Sequence, residues 1–263
     1  MTGCHHEITV LNFDGPYLLQ RRLADLADRW VDLSDIPGTN LLCAEEALAE
    51  IRRRLAGLRG THVRSAAPAA PGVTFIGSGN YHYVTYLLLE QTKRPCTLLL
   101  FDRHSDMKSA AHDAGLLTCG NWVAKTLERL PFVREVHIVG ALPADGAPSP
   151  DTRPLEQAGR LRFWPAETEP DALTAALQGR DLYISIDKDV LSPQAAVTNW
   201  DQGDMELERL MALLRAVMRC NRVIGVDVCG EYPVTPADRW RSAAVQRRNE
   251  QANLSILQAL QSA

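Results

Sequence analysis

The sequence predicts an α/β fold in which a mainly parallel sheet carries helices on both faces. Three observations lead there. Short, β-rich apolar runs alternate along the chain with longer stretches of helical periodicity. Several runs are apolar without a break, as in Thr97-Leu98-Leu99-Leu100-Phe101, the pattern of a strand buried on both faces of a parallel sheet. The 263 residues show no internal repeat and no shift of composition, so residues 1–263 are expected to form one domain with a substantial core.

In chain order, a β-rich run at 7–13 leads into helical patterns at 17–30 and 44–58. Residues 65–72, with repeated alanine and two prolines, read as a loop. A strand at 73–77 precedes a helix at 82–91, and a strand at 97–102 precedes a helix at 122–130. Strands at 135–139 and 160–163 flank a loop at 141–154 that is rich in Pro, Ala, Gly and Asp. A strand at 181–187 comes before the clearest helix, 205–218. There Met205, Leu207, Leu210, Met211, Leu214, Val217 and Met218 fall at i, i+3, i+4 spacing, with Glu206, Glu208, Arg209 and Arg215 mostly opposite. The last strand is expected at 222–227 and the last helix at 236–260. The stripe Leu254, Leu257 and Leu260 on that helix can pack on its own domain or on a second copy, which leaves a homo-oligomer open.

Composition narrows the partners. With 46% hydrophobic and 23% charged residues, the chain reads as an ordinary globular protein. A formal charge of −4, from 28 basic and 32 acidic residues, gives no electrostatic reason to expect nucleic acid. No basic-then-apolar leader opens the sequence, and runs such as Leu98-Leu99-Leu100-Phe101 are far too short to span a membrane. Six cysteines without a C-x-x-C pair fit scattered reduced thiols, hence a cytoplasmic protein.

The chemistry-bearing residues gather at the carboxyl ends of three expected strands, where open parallel sheets bind ligands. One strand runs into Asp102-Arg103-His104-Ser105-Asp106, another into Asp187-Lys188-Asp189, a third into Gly77-Ser78-Gly79-Asn80-Tyr81-His82. Residues i and i+2 of an extended strand share a face, roughly 6.5–7 Å apart, so the D-x-H-x-D and D-x-D spacings can point into one crevice. Four carboxylates there would repel and be partly neutralised, and two divalent cations would cancel their charge. Mixed carboxylate and imidazole ligation suits Mn²⁺, with Zn²⁺, Co²⁺, Fe²⁺ or Ni²⁺ as alternatives. Such a metal pair can bridge a water and lower its pKa.

Together these motifs resemble the arginase–agmatinase–formiminoglutamase family, the ureohydrolases. Gly79-Asn80-Tyr81-His82 is similar to the family's G-G-D-H, and Asp102-Arg103-His104-Ser105-Asp106 to its D-A-H-x-D. Ser185 to Pro193 is similar to its S-x-D-x-D-x-x-D-P. The resemblance implies a three-layer α/β/α sandwich with a mainly parallel sheet. It implies one metal on His82, Asp102, Asp106 and Asp187, and a second on Asp102, His104, Asp187 and Asp189. A hydroxide between them would attack a guanidinium carbon, while Asp106 orients it and passes its proton to the leaving amine.

The departures fall where the substrate would be read. Arg103 replaces a small residue and is expected to point away; Ser192 replaces an aspartate of a turn. The guanidinium-binding glutamate has no direct counterpart: Gly230 stands at its place, and Glu231, one position on, is expected to serve through a bulge. Cys119-Gly120-Asn121-Trp122-Val123 resembles the family's S-G-N-x-H, with Val123 at the proton-shuttle histidine and Cys119 at a serine that reads the amino-acid carboxylate. Asn121 and Lys108 remain as candidate substrate contacts. His112 is a candidate replacement shuttle or an exposed loop residue, and His137 is expected in the core. Trp200 is placed to wall the pocket, and Asp201 either to meet a substrate amine or, like Asp204, to cap the next helix.

The expected function is hydrolysis of an arginine-type guanidino group to urea and an ornithine-type amine, on free arginine or on arginine within a peptide. An N-hydroxylated arginine, another guanidino acid or a formimino group is the alternative substrate. A deacetylase-like amidohydrolase and a non-catalytic binding scaffold are the alternative functions.

Overall fold

The computed structural model describes residues 6–56, 71–108, 115–141, 151–234 and 242–262. In chain order the elements are β1 (Ile8–Asn12), α1 (Arg21–Leu26), β2 (Arg29–Asp32), β3 (Leu42–Cys43), α2 (Glu45–Ala56), β4 (Val73–Phe75), α3 (Val84–Thr92), β5 (Cys96–Asp102), β6 (Leu117–Thr118) and α4 (Trp122–Arg129). They continue with β7 (Val133–Gly140), α5 (Arg153–Gln157), β8 (Leu161–Trp164), α6 (Pro170–Leu177), β9 (Asp181–Asp187), α7 (Leu207–Cys220), β10 (Arg222–Cys229) and α8 (Ala243–Gln261). Eight strands form one sheet in the order β2-β1-β4-β10-β9-β5-β7-β8. Every pairing in it is parallel. β3 and β6 form a small antiparallel pair apart from it.

The all-parallel sheet explains the continuous apolar runs. Successive side chains of a strand point to opposite faces, and here both faces are covered. On β5, Leu98 and Leu100 enter the core shared with Ile51 and Leu55 of α2, Leu87 of α3 and Leu127 of α4. Leu99 and Phe101 enter the other core, with Leu173 of α6, Leu213 and Leu214 of α7 and Ile256 of α8. Each such fully buried side chain contributes about 1.5–3 kcal/mol. The result is the expected three-layer α/β/α sandwich. Leu257 and Leu260 of α8 are buried in this chain's own core, while Leu254 is half-buried.

The expected helix at 17–30 is corrected. A 3-10 turn over Pro16–Leu19 and the short α1 occupy its first part, and then Arg29–Asp32 adds to the sheet edge as β2, in parallel register with β1. Trp30 and Val31 are well suited to a strand, and pairing with β1 satisfies a backbone edge that a helix there would leave open. Two short helices, α5 and α6, go beyond the expected elements; α6 opens on Pro170, whose fixed φ suits the first helical turn. The expected loop at 65–72 lies outside the described residues except for Pro71 and Gly72, as does 142–150 of the loop at 141–154. The first residues of the helix expected from 236 also lie outside them, and the described helix begins at Ala243. His137 is in the core as expected, stacked on Trp164 and accepting from its indole N–H at 3.1 Å.

Candidate metal centre

The four central strands run β4-β10-β9-β5, so four carboxyl ends, far apart in sequence, lie side by side. β5 and β9 deliver Asp102 and Asp187 from their last residues. Beyond β9 the chain turns tightly: Asp187 Oδ1 accepts from the backbone N–H of Asp189 at 2.9 Å, which brings both carboxylates to the same side. Beyond β5, the N–H of His104 donates to Asp102 Oδ1 at 2.5 Å and that of Arg103 to Asp189 Oδ1 at 3.0 Å. Asp106 adopts a left-handed φ of 50°, uncommon outside glycine, so the segment after β5 holds a strained residue at the site. The turn after β4 comes close: a Cβ at Gly79 would sit 2.9 Å from Asp187 Oδ2 and 3.0 Å from the Trp200 ring, so a side chain there would push on both.

All six residues singled out in the motifs converge. His82 Nδ1 lies 3.2 Å from Asp102 Oδ2, 3.3 Å from Asp106 Oδ2 and 3.4 Å from Asp187 Oδ2. His104 Nδ1 lies 2.8 Å from Asp189 Oδ2 and 3.7 Å from Asp102 Oδ1. The donor atoms of His82, Asp102 and Asp106, and those of Asp102, His104 and Asp189, fall within 4.8 Å of one another in each group. Asp102 belongs to both.

Behind these residues lies a layer that sequence reasoning did not single out. His82 Nε2 meets Ser185 Oγ at 3.0 Å, and Ser185 Oγ donates to Asp227 Oδ1 at 2.6 Å. With the hydroxyl proton given to Asp227, Ser185 can accept the proton on His82 Nε2, and Nδ1 is the nitrogen that faces the carboxylates. Asp227 is further held by the hydroxyls of Tyr183, at 2.8 Å, and Thr85, at 3.1 Å. Trp122 donates its indole N–H to Asp106 Oδ2 at 2.5 Å. Cys229 donates its thiol to Asp187 Oδ2 at 3.2 Å. One signal was present in the sequence: Ser185 is the first residue of the S-x-D-x-D segment, on the same face of β9 as Asp187.

The electrostatics ask for positive charge. Burial, and then Asp189, push Asp187 up to about 6, and burial with Asp189 and Asp106 pushes Asp102 well above the ordinary carboxylate range. His104 is pushed up to about 10, chiefly by its bond to Asp189. Burial acts to lower His82, but the surrounding thiol and carboxyl groups outweigh it and the imidazole is raised. Asp102 Oδ2 is buried without a hydrogen-bond partner. Carboxylates that resist ionisation, two imidazoles with their outer nitrogens engaged, and an orphaned buried oxygen make a donor set that fits divalent cations.

The expected substrate contacts fare differently. Glu231 is a correction. It is fully buried, and its Oε1 is ion-paired with Lys188 and accepts from Asn253 at 2.7 Å, while its Oε2 accepts from Gln20 at 2.8 Å and Asn249 at 3.0 Å. No lone pair is left for a guanidinium. Gly230, at φ 84°, turns the chain here, and a Cβ on it would run into Asp187 and Lys188. Asn121 is likewise spent on its own turn, accepting from the N–H of Thr118 at 2.9 Å and donating to the carbonyl of Leu116 at 2.9 Å. Asp201 accepts from His104 Nε2 at 2.9 Å and lies 4.0 Å from Arg103 Nε. Its partner is thus an imidazole, and it does not cap α7, which Glu206 precedes. Trp200 packs beside the cluster: its ring meets that of His104 edge-on at 5.7 Å and its N–H is tied to Asn80 at 3.0 Å. Lys108 is exposed and lies over Gly120, beside the half-buried Cys119. Arg103 is exposed, and the charged group its guanidinium approaches is the Asp201 carboxylate. His112 lies outside the described residues.

A parallel three-layer sandwich with this carboxylate–imidazole cluster at the ends of its central strands defines a ureohydrolase-type α/β protein. The chain belongs to the arginase family, whose sequence pattern, described as "Arginase family", matches residues 19–246; members are hydrolases of the C–N bonds of amidino groups. A protein of Thermotoga maritima described as uncharacterized is 33% identical over 253 residues, 96% of this chain and 89% of that one. Among solved structures, the fold is similar to that of proclavaminate amidino hydrolase from Streptomyces clavuligerus, with a TM-score of 0.65 at 18% identity over 97% and 92% of the two chains. It is also similar to formimidoylglutamase from Bacillus subtilis, at 0.66 and 15% over 97% and 86%. Entamoeba histolytica arginase in complex with L-ornithine gives 0.68 and 12%, over 100% of both chains. Among the described residues, no helix is long and apolar enough to cross a membrane.

Proposed function

We propose that this chain is a dinuclear metal-dependent ureohydrolase that cleaves an arginine-type guanidino group, on free or peptidyl arginine, to urea and an ornithine-type amine. One observation carries the reading: His82 Nδ1 faces three carboxylate oxygens at 3.2–3.4 Å, and His104 Nδ1 faces two more, with Asp102 shared. His82, Asp102, Asp106 and Asp187 would hold one cation, and Asp102, His104, Asp187 and Asp189 the other, with manganese first among the candidates. When bound, two such cations supply a water of lowered pKa at neutral pH.

The protein's own groups do the rest. Ser185 and Asp201 hold the outer nitrogens of His82 and His104, fixing each tautomer. Asp106, anchored by Trp122, takes a proton from the attacking water and hands it to the leaving nitrogen. The water oxygen becomes the urea carbonyl, the C–N bond to the substrate chain breaks, and both water protons end on the leaving amine, the first through Asp106 and the second as the carbonyl forms, so that a guanidinium and water give urea and an ammonium. In this reading Trp200 closes one side of the pocket, and Lys108 is the cation assigned to a substrate carboxyl or peptide carbonyl. A peptidyl substrate is supported by what is missing: Cys119 stands where a serine would read the amino-acid carboxylate, and Asn121 is tied to its own backbone. An arginine inside a peptide has no α-carboxylate or free α-amine needing those groups.

The test is urea release with added Mn²⁺ from free arginine and from an arginine-containing peptide. The reading expects urea from at least one and loss of it in Asp102→Asn with folding retained. No urea from any guanidine substrate would sink it.

A further inference from the structure

Cys229 is the last residue of β10 and is fully buried. It pairs in register with Asp187, the last residue of β9, so the two side chains leave adjacent strands at the same level. Gly230, with its left-handed φ of 84° and no Cβ, lets the end of β10 press against Asp187. Asp187 Oδ2 is thereby shared: it lies 3.2 Å from Cys229 Sγ and 3.4 Å from His82 Nδ1. The donor atoms of His82, Asp187 and Cys229 all fall within 4.8 Å of one another, a third group with the dimensions of a cation site. A second feature points to the same place. The buried, unpartnered Asp102 Oδ2 lies 3.2 Å from His82 Nδ1.

We propose that Cys229 is a sulfur ligand of the cation on the His82 side of the centre, an inference that rests on the dinuclear reading above. Sulfur changes what that side selects. Oxygen and imidazole alone suit manganese, whereas a thiolate favours Zn²⁺, Co²⁺ or Fe²⁺. Among the described residues, the donor group on the His104 side, with Asp102 and Asp189, contains no sulfur. The two positions are therefore chemically unequal, with a softer cation beside His82 and a harder one beside His104. On ligation the Sγ–H bond gives way to an Sγ–metal bond and the proton leaves to solvent.

The test loads the full-length, metal-stripped chain with Co²⁺ and reads its absorption spectrum beside its metal content. The expected result is visible d–d bands together with a near-ultraviolet sulfur-to-cobalt charge-transfer band. That band is lost in Cys229→Ser and kept in Cys119→Ser, and Cys229→Ser loses about 10–100-fold in Zn²⁺ affinity, the loss expected when a ligand or its support is removed, with Mn²⁺ affinity changed far less. Bound cobalt with d–d bands but no charge-transfer band in the unaltered chain overturns the proposal while leaving the metal centre standing; Cys229 is then only a thiol donor to Asp187. A band that follows Cys119 overturns it equally. No bound metal at all removes the dinuclear reading and this inference with it. Should Cys229→Ser fail to fold, the spectra of the unaltered chain and of Cys119→Ser still decide.

Discussion

The indole N–H of Trp122 donates to Asp106 Oδ2 at 2.5 Å, joining the first residue of α4 to the carboxylate that ends the D-x-H-x-D segment. Trp122 is fully buried and its ring leans against that of His82, the centroids 4.8 Å apart. One side chain therefore orients two residues of the cluster. Trp122→Phe keeps the ring against His82 and removes the bond. A hydrogen bond to a charged group contributes about 1.5–3 kcal/mol, so turnover is expected to fall about tenfold to a hundredfold, with the circular-dichroism spectrum unchanged. Unaltered turnover in a folded variant would show that Asp106 needs no anchor.

Ser185 links His82 to Asp227. In Ser185→Ala, His82 Nε2 loses its acceptor, while Asp227 keeps Tyr183 and Thr85. The loss should fall on cation affinity, about 10–100-fold, measured by titration calorimetry. Thermal stability without cation should change much less.

Glu231 and Lys188 form a buried ion pair between the D-x-D segment and the loop after β10, braced by Gln20, Asn249 and Asn253. Removing one partner leaves an uncompensated charge, so Lys188→Met should cost about 3–5 kcal/mol of unfolding free energy. Lys188→Met combined with Glu231→Leu should recover much of that loss. Denaturant titration checks both. Glu231→Gln with full stability and no turnover would instead return the residue to the substrate.

Stability of the metal-free chain should fall as pH rises. Burial pushes Asp187 and Asp227 up to about 6 from 3.8, so between those values the folded chain holds protons that the unfolded chain has released. His104, raised from 6.5 to about 10 by Asp189, acts in the same direction: its contribution is present below 6.5 and is lost as pH rises through about 10. Scanning calorimetry with chelator should show a lower melting temperature at about pH 8 than at about pH 5. Added Mn²⁺ should raise the melting temperature more at the higher pH, because ligands must shed protons to bind it. A cation gain independent of pH would contradict this.

The unbroken apolar run at 97–101, the alternation of strand and helix patterns, and the motifs at three strand ends already carried the parallel sheet, both helical layers and the six cluster residues. Those signals are local: strand alternation and periodicity are written within a few consecutive residues. β2 was hidden because a short edge strand is fixed by its neighbour, β1, more than by its own pattern.

Sequence by itself thus determined the fold class and which residues meet at the strand ends. Tertiary structure decided what each surrounding side chain is engaged with. Ser185 and Asp227, 42 residues apart, and Cys229 and Asp187, also 42 apart, become neighbours only because β10 lies beside β9. Glu231, one residue from the position a substrate would need, is turned by the left-handed Gly230 into an ion pair with Lys188. A hydrogen bond or ligand bond depends on direction within a few tenths of an ångström, and that direction is set by strand order and packing, which no local spacing encodes.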